Sequence, residues 1–106
     1  MNTRFETYWK LRLENCLKSL RDNNFGAYLA DSCKDAKRIV VEEILPDIDV
    51  KSVSWGDSLT LYATQILDAI KQDSDIHILE TFAANVAREE IMERRRKALL
   101  TDLFFT

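Results

Sequence analysis

The stretch Ser52-Val53-Ser54-Trp55-Gly56-Asp57-Ser58-Leu59-Thr60 decides the fold. Residues 50–55 alternate as a strand does, Gly56-Asp57-Ser58 breaks the alternation, and Leu59, Tyr62, Ile66 and Ile70 then recur at helical spacing, flanked by Ala63 and Leu67. A strand that turns through a glycine into a helix is the repeating unit of an α/β fold with a parallel sheet. Such a turn brings the free N–H groups and the positive dipole end of the helix to the carboxyl edge of the sheet, where ligands of these folds bind.

The same alternation extends outward in both directions. Upstream, Phe5, Tyr8, Trp9, Leu13, Cys16, Leu17 and Leu20 predict a first helix, ended by Asn23-Asn24 because asparagine tolerates left-handed C′ geometry. Phe25-Gly26-Ala27-Tyr28-Leu29-Ala30 reads as a short strand. Asp31 or Ser32 then caps a second helix through Ala36, Ile39, Val40 and Ile44, and Pro46 stops it. Downstream, Ile76-His77-Ile78-Leu79 predicts a third strand. Residues 85–100 predict a helix with Glu89 and Glu90 at its start and Arg94, Arg95, Arg96 and Lys97 at its end, which suits the helix dipole. Leu103-Phe104-Phe105-Thr106 is the last strand. The expected architecture is α/β, a parallel sheet of about four strands with flanking helices, in the order 3-2-1-4 by analogy with doubly wound sheets.

Composition narrows the chemistry. The chain has 106 residues, 15 basic and 18 acidic side chains and a net charge of −3, so no broad basic field points to nucleic acid or to a membrane surface. Gly26 and Gly56 are the only glycines, which excludes G-x-G-x-x-G and Walker A loops. His77 is the only histidine, so H-E-x-x-H is excluded as well, and no metal site is expected. Cys16 and Cys33 form no C-x-x-C pair and suit a reducing compartment; an iron–sulfur cluster needs about four cysteines. No resident cofactor is expected. The start, Met-Asn-Thr-Arg-Phe-Glu, lacks the apolar core of a signal peptide, and the expected location is cytoplasmic.

Candidate ligand-binding residues cluster on two segments. Ser54, Gly56, Ser58 and Thr60 at the strand–turn–helix can offer hydrogen bonds to a phosphate or carboxylate, with Asp57 opposing an anion. The competing reading makes Asp57 or Ser58 a plain N-cap. Arg95 shares a helix face with Ile91, Ala98 and Leu99 and has Ile91, not a carboxylate, four residues before it, unlike Arg94 and Lys97. A guanidinium turned inward needs an anion or an acid, and Asp102 is available; otherwise its stem snorkels to water. His77, between Ile76 and Ile78, reads as a packing residue, and Cys16 as core.

In order along the chain, Tyr8-Trp9-Lys10-Leu11-Arg12, Asn24-Phe25-Gly26-Ala27-Tyr28 and Ser52-Val53-Ser54-Trp55-Gly56-Asp57-Ser58-Leu59-Thr60-Leu61 resemble segments of the LUD domain, the lactate-utilisation protein family. Residues 95–106, from Arg95-Arg96-Lys97-Ala98 to Phe104-Phe105-Thr106, are similar to the part of that family that precedes its second half. The resemblance implies half of a domain akin to ribose-phosphate isomerase and CoA-transferase folds, with residues 1–106 as a single, N-terminal LUD-like half. Members continue into a Gly-Thr-Asn-Ala-type loop, and most carry a second glycine where this chain has Asp57. The implied role is accessory to the oxidation of lactate to pyruvate, alongside iron–sulfur subunits.

The resemblance assigns no catalytic residue. Leu103-Phe104-Phe105 is apolar on both faces, as in a central strand, with no following helix to cover it. This supports the alternative reading: a non-catalytic interaction module that completes its sheet with another copy or with a complementary half-domain.

Overall fold

The computed structural model describes residues 3–106, which divide into two compact units with a boundary between Ser32 and Cys33. The first unit is dominated by helix α1, Thr3–Asp22. It ends as the Asn23-Asn24 pair predicts. Asn24 has φ 68°, the Phe25 N–H reaches the Leu20 carbonyl at 3.0 Å and the Asn24 N–H reaches that of Arg21 at 3.2 Å. These are the two bonds of a Schellman cap.

Residues 25–30 form no strand, which corrects the four-strand expectation to three strands. The Arg21 guanidinium accounts for part of this. Its Nε and Nη2 donate to the Ala27 carbonyl at 3.2 and 2.9 Å, occupying an acceptor that a ladder would use. Cys16, expected in a core, is exposed. The aromatic stripe packs on itself, with Trp9 edge-on to Phe5 and Tyr8 at 6.1 and 5.6 Å and the Arg12 guanidinium over the Tyr8 and Trp9 rings.

The second unit holds the sheet. Helix α2, Cys33–Arg38, runs into a π-helical stretch, Ile39–Ile44, and a 3-10 turn, Leu45–Asp47. The loosening coincides with the β-branched run Ile39-Val40-Val41, and Pro46 closes the helical path. Then follow β1 (Ser52–Trp55), α3 (Leu59–Thr64), α4 (Ile66–Lys71), β2 (His77–Ile78), α5 (Arg88–Ala98) and β3 (Leu103–Phe105). The sheet is wholly parallel in the order β2-β1-β3, Val53 facing Ile78 on one side and Leu103 on the other. The expected order 3-2-1-4 is corrected accordingly: without a strand at residues 25–30, β3 pairs directly with β1.

The helix expected as one piece over residues 59–70 is two. Gln65 stands between α3 and α4 at φ 59°. Thr64 causes the break, because its hydroxyl donates to the Leu61 carbonyl at 2.6 Å and accepts from the Ile66 N–H at 3.3 Å, competing with the helical ladder. Helix α5 likewise starts at Arg88 rather than at residue 85, since Asn85 is left-handed at φ 60°.

One face of β1 carries the core. Val53 and Trp55 pack with Leu61, Ile66, Leu67 and Ile70 from α3 and α4, flanked by Ile78, Leu103 and Phe105. Among the described residues, no helix is long and apolar enough to cross a membrane.

Candidate functional site

β1 and β2 point their carboxyl ends at the turn of residues 56–58 and at the segment that follows β2. Ser58 caps α3, its hydroxyl oxygen accepting from the Leu61 N–H at 3.1 Å. The N–H groups of Leu59 and Thr60 precede the first intrahelical bond and have no partner within the helix. Thr60 is exposed.

The other expected site residues are committed within the sheet or lie elsewhere. Ser54 is fully buried and its hydroxyl donates to the Leu79 carbonyl at 2.8 Å, a strand-to-strand tie within the sheet. Gly56 lies in the turn, where its N–H donates to the Phe105 carbonyl at 2.8 Å and extends the β1–β3 ladder. Its φ is not positive, and an added Cβ would meet nothing nearer than 3.8 Å, so this turn does not use glycine's conformational freedom.

Asp102 lies at the opposite, amino ends of the strands. Its Oδ2 accepts from the N–H groups of Lys51 and Ser52 at 2.8 and 3.1 Å, and its own N–H donates to the Ser52 hydroxyl at 2.9 Å. These bonds, the Lys51 N–H first, hold the Asp102 carboxyl below the usual aspartate range. A four-residue strand spans about 13 Å, so Asp102 and the Gly56 turn do not share a site.

Arg95 is exposed, and the arginine that turns inward is Arg94. The buried face of α5 runs through Ile91, Arg94 and Ala98, one position out of phase with the expected one. Arg94 donates through Nε to Glu90 at 3.1 Å and through Nη1 to the Glu80 carbonyl at 3.2 Å. Glu93 pairs with Arg96 at 3.4 Å rather than with Lys97. His77 is exposed on β2, not packed.

Sequence reasoning passed over a small cavity at the carboxyl ends of β1 and β2. It has a volume of about 110 Å³ and is lined by Trp55, Tyr62, Gln65, Asp68, Lys71 and Phe82, with Leu61, Leu67 and Glu80 completing its wall. Trp55 is 3% exposed and forms its floor; the Lys71 ammonium sits 5.3 Å from the centre of that ring. Lys71 could have been found by the test applied to Arg95: four residues before it stands Leu67, not a carboxylate.

The family model for the LUD domain matches residues 13–106. The chain belongs to the LUD domain family. LUD domains are associated with lactate-utilisation proteins, and this chain's parallel α/β architecture accords with the fold expected from the resemblance. Comparison with curated proteins and with solved structures gave no match. Among the described residues, no group of three or more histidine, cysteine, aspartate or glutamate side chains is placed to hold a metal ion.

Proposed function

We propose that this LUD domain serves lactate utilisation as an accessory protein that binds a short carboxylate at the carboxyl edge of its sheet. The observation that carries the reading is the family match over residues 13–106 on a chain whose central parallel strand runs through a turn into a helix N-terminus. Ser58, Thr60 and the first N–H groups of α3 provide hydrogen-bond donors there. Ser54, Gly56 and Asp102 have framework roles, because their polar groups are already committed within the sheet. The domain works in the cytoplasm beside subunits that carry the redox chemistry.

Thermal unfolding with added lactate, pyruvate or inorganic phosphate tests this. A ligand at about a hundredfold its Kd stabilises the folded state by about 2.7 kcal/mol. Lactate or pyruvate is therefore expected to raise the midpoint by several degrees. No shift with any short carboxylate removes the reading.

One observation favours a second reading. β3 is an edge of the sheet, yet Phe104 on it is 43% exposed and Leu103 and Phe105 are apolar as well. Under this reading β3 pairs with a second copy or with a complementary half-domain, and the chain acts as an interaction module.

A further inference from the structure

We infer that the cavity at the carboxyl ends of β1 and β2 binds a short carboxylate with an apolar tail, anchored by the Lys71 ammonium. The inference rests on the carboxylate reading above and places the ligand in this cavity rather than at the turn, since the lining includes neither Ser58 nor Thr60.

The first observation is the state of Lys71. Its ammonium lies 5.3 Å from the Trp55 ring centre, held by the ring's negative face. Asp68 stands three residues before it and Glu80 lines the same cavity, yet Lys71 forms no ion pair with a carboxylate among the described residues. A cation positioned by an aromatic ring and left without a carboxylate is a ready anchor for a ligand's carboxylate.

Size is the second. A cavity of about 150 Å³ holds benzene, which has six heavy atoms. The cavity here is about 110 Å³ and opens to solvent, so it suits molecules of about that size or smaller. Three-carbon hydroxy and oxo acids fall in this class. Trp55 and Leu67 provide an apolar surface for the tail, and the half-exposed rings of Tyr62 and Phe82 form the mouth.

The third is Gln65. Among the described residues, three that are not glycine have positive φ, and two of them are asparagines, which tolerate it. Gln65 is the third, and its strained position places it on the cavity wall, where its carboxamide can donate to a carboxylate oxygen.

Charge sets the strength. Asp68 and Glu80 oppose an anion and outnumber Lys71 in the lining, and the nearby Arg94 is already paired with Glu90. Binding is therefore modest, and removing one opposing charge strengthens it.

The test uses the fluorescence of Trp55 in a Trp9→Phe background, so that one tryptophan reports. The chain is titrated with lactate, pyruvate and propionate, and with methylammonium chloride at matched ionic strength. Carboxylates are expected to change the emission saturably, and methylammonium is not. Lys71→Met keeps the stem but removes the charge and should weaken binding about tenfold or more, while Lys71→Arg retains most of it. Asp68→Asn should tighten binding about two- to threefold at low salt. An unchanged thermal midpoint without ligand shows that each variant is folded.

Undiminished carboxylate binding by Lys71→Met would overturn the anchor and leave the broader reading standing. A response to methylammonium but not to carboxylates overturns the ligand class. No response to any carboxylate, by fluorescence or by thermal unfolding, overturns both.

Discussion

At the scale of single residues, the clearest division of labour is between polar groups that hold the sheet and those left for a ligand. Asp102 belongs to the first kind. Its carboxylate bridges two N–H groups at the start of β1 while its own N–H returns to Ser52, tying two segments fifty residues apart. Because these bonds favour the ionised form, the carboxyl titrates lower in the folded chain than in the unfolded one. A depressed pKa contributes stability above the unfolded value of about 3.9, and this is lost as pH falls through the folded value. Asp102→Asn, which resembles the protonated acid, should lower the thermal midpoint at neutral pH, and the gap to the parent should close at a pH low enough to protonate the folded carboxyl. An equal gap at both pH values would show that the charge contributes nothing.

The choice between Arg94 and Arg95 also belongs to this scale. Consecutive helix positions differ by about 100° around the axis, and apolar Ile91 and Ala98 are compatible with either arginine as the inward one. The carboxylate test pointed to Arg95 because Glu90 already supplied a partner to Arg94. In the structure that pair forms and the guanidinium still reaches the Glu80 carbonyl, because one arginine has donors for both. A pairing rule confined to one helix has no access to a carbonyl on another segment.

At the scale of elements, the features visible in the sequence are those written in local chemistry. The asparagine end of α1, the Ser58 cap and the strand–turn–helix over residues 52–64 all follow from neighbouring side chains. The break at Gln65 was not visible, because the apolar stripe of Leu59, Tyr62, Ile66 and Ile70 continues across it. It depends on whether the Thr64 hydroxyl bonds to the Leu61 carbonyl or turns outward, a choice that burial against the core settles. The strand expected over residues 25–30 failed for a related reason: its composition fits a strand, and a strand also needs a neighbour.

The break makes a prediction. A left-handed residue with a Cβ is strained by about 1–2 kcal/mol, and glycine avoids this while losing more backbone entropy on folding. Gln65→Gly should therefore stabilise the fold by about 0.5–1 kcal/mol, a midpoint rise of a few degrees. Gln65→Val, β-branched at positive φ, should destabilise it by at least as much. A loss of stability in the glycine variant, measured by urea unfolding, would show that the side chain holds the break in place.

At the scale of the whole molecule, the parallel α/β class was legible because strand and helix signals alternate along the sequence, while strand order was not. Order depends on which edges remain open, and the edge beside β3 carries the sharper consequence. β1 is paired on both sides and nearly all buried, as a central strand should be. β3 has equally apolar side chains but only one neighbour, and in a parallel ladder alternate residues direct their N–H and C=O groups outward. The Phe105 carbonyl accepts from Gly56, so it is the backbone of Phe104 that faces the open edge. Unpaired backbone beside an exposed aromatic ring invites another strand, and a lysine on an edge strand discourages it. If β3 is an association edge, the parent should gain mass with concentration by light scattering, and Phe104→Lys should be monomeric at the same concentrations or precipitate. Leu99→Lys adds the same charge at a residue 82% exposed outside the sheet, and it should associate as the parent does. A parent that stays monomeric throughout, or a Phe104→Lys variant of undiminished mass, would assign the exposed ring no part in assembly.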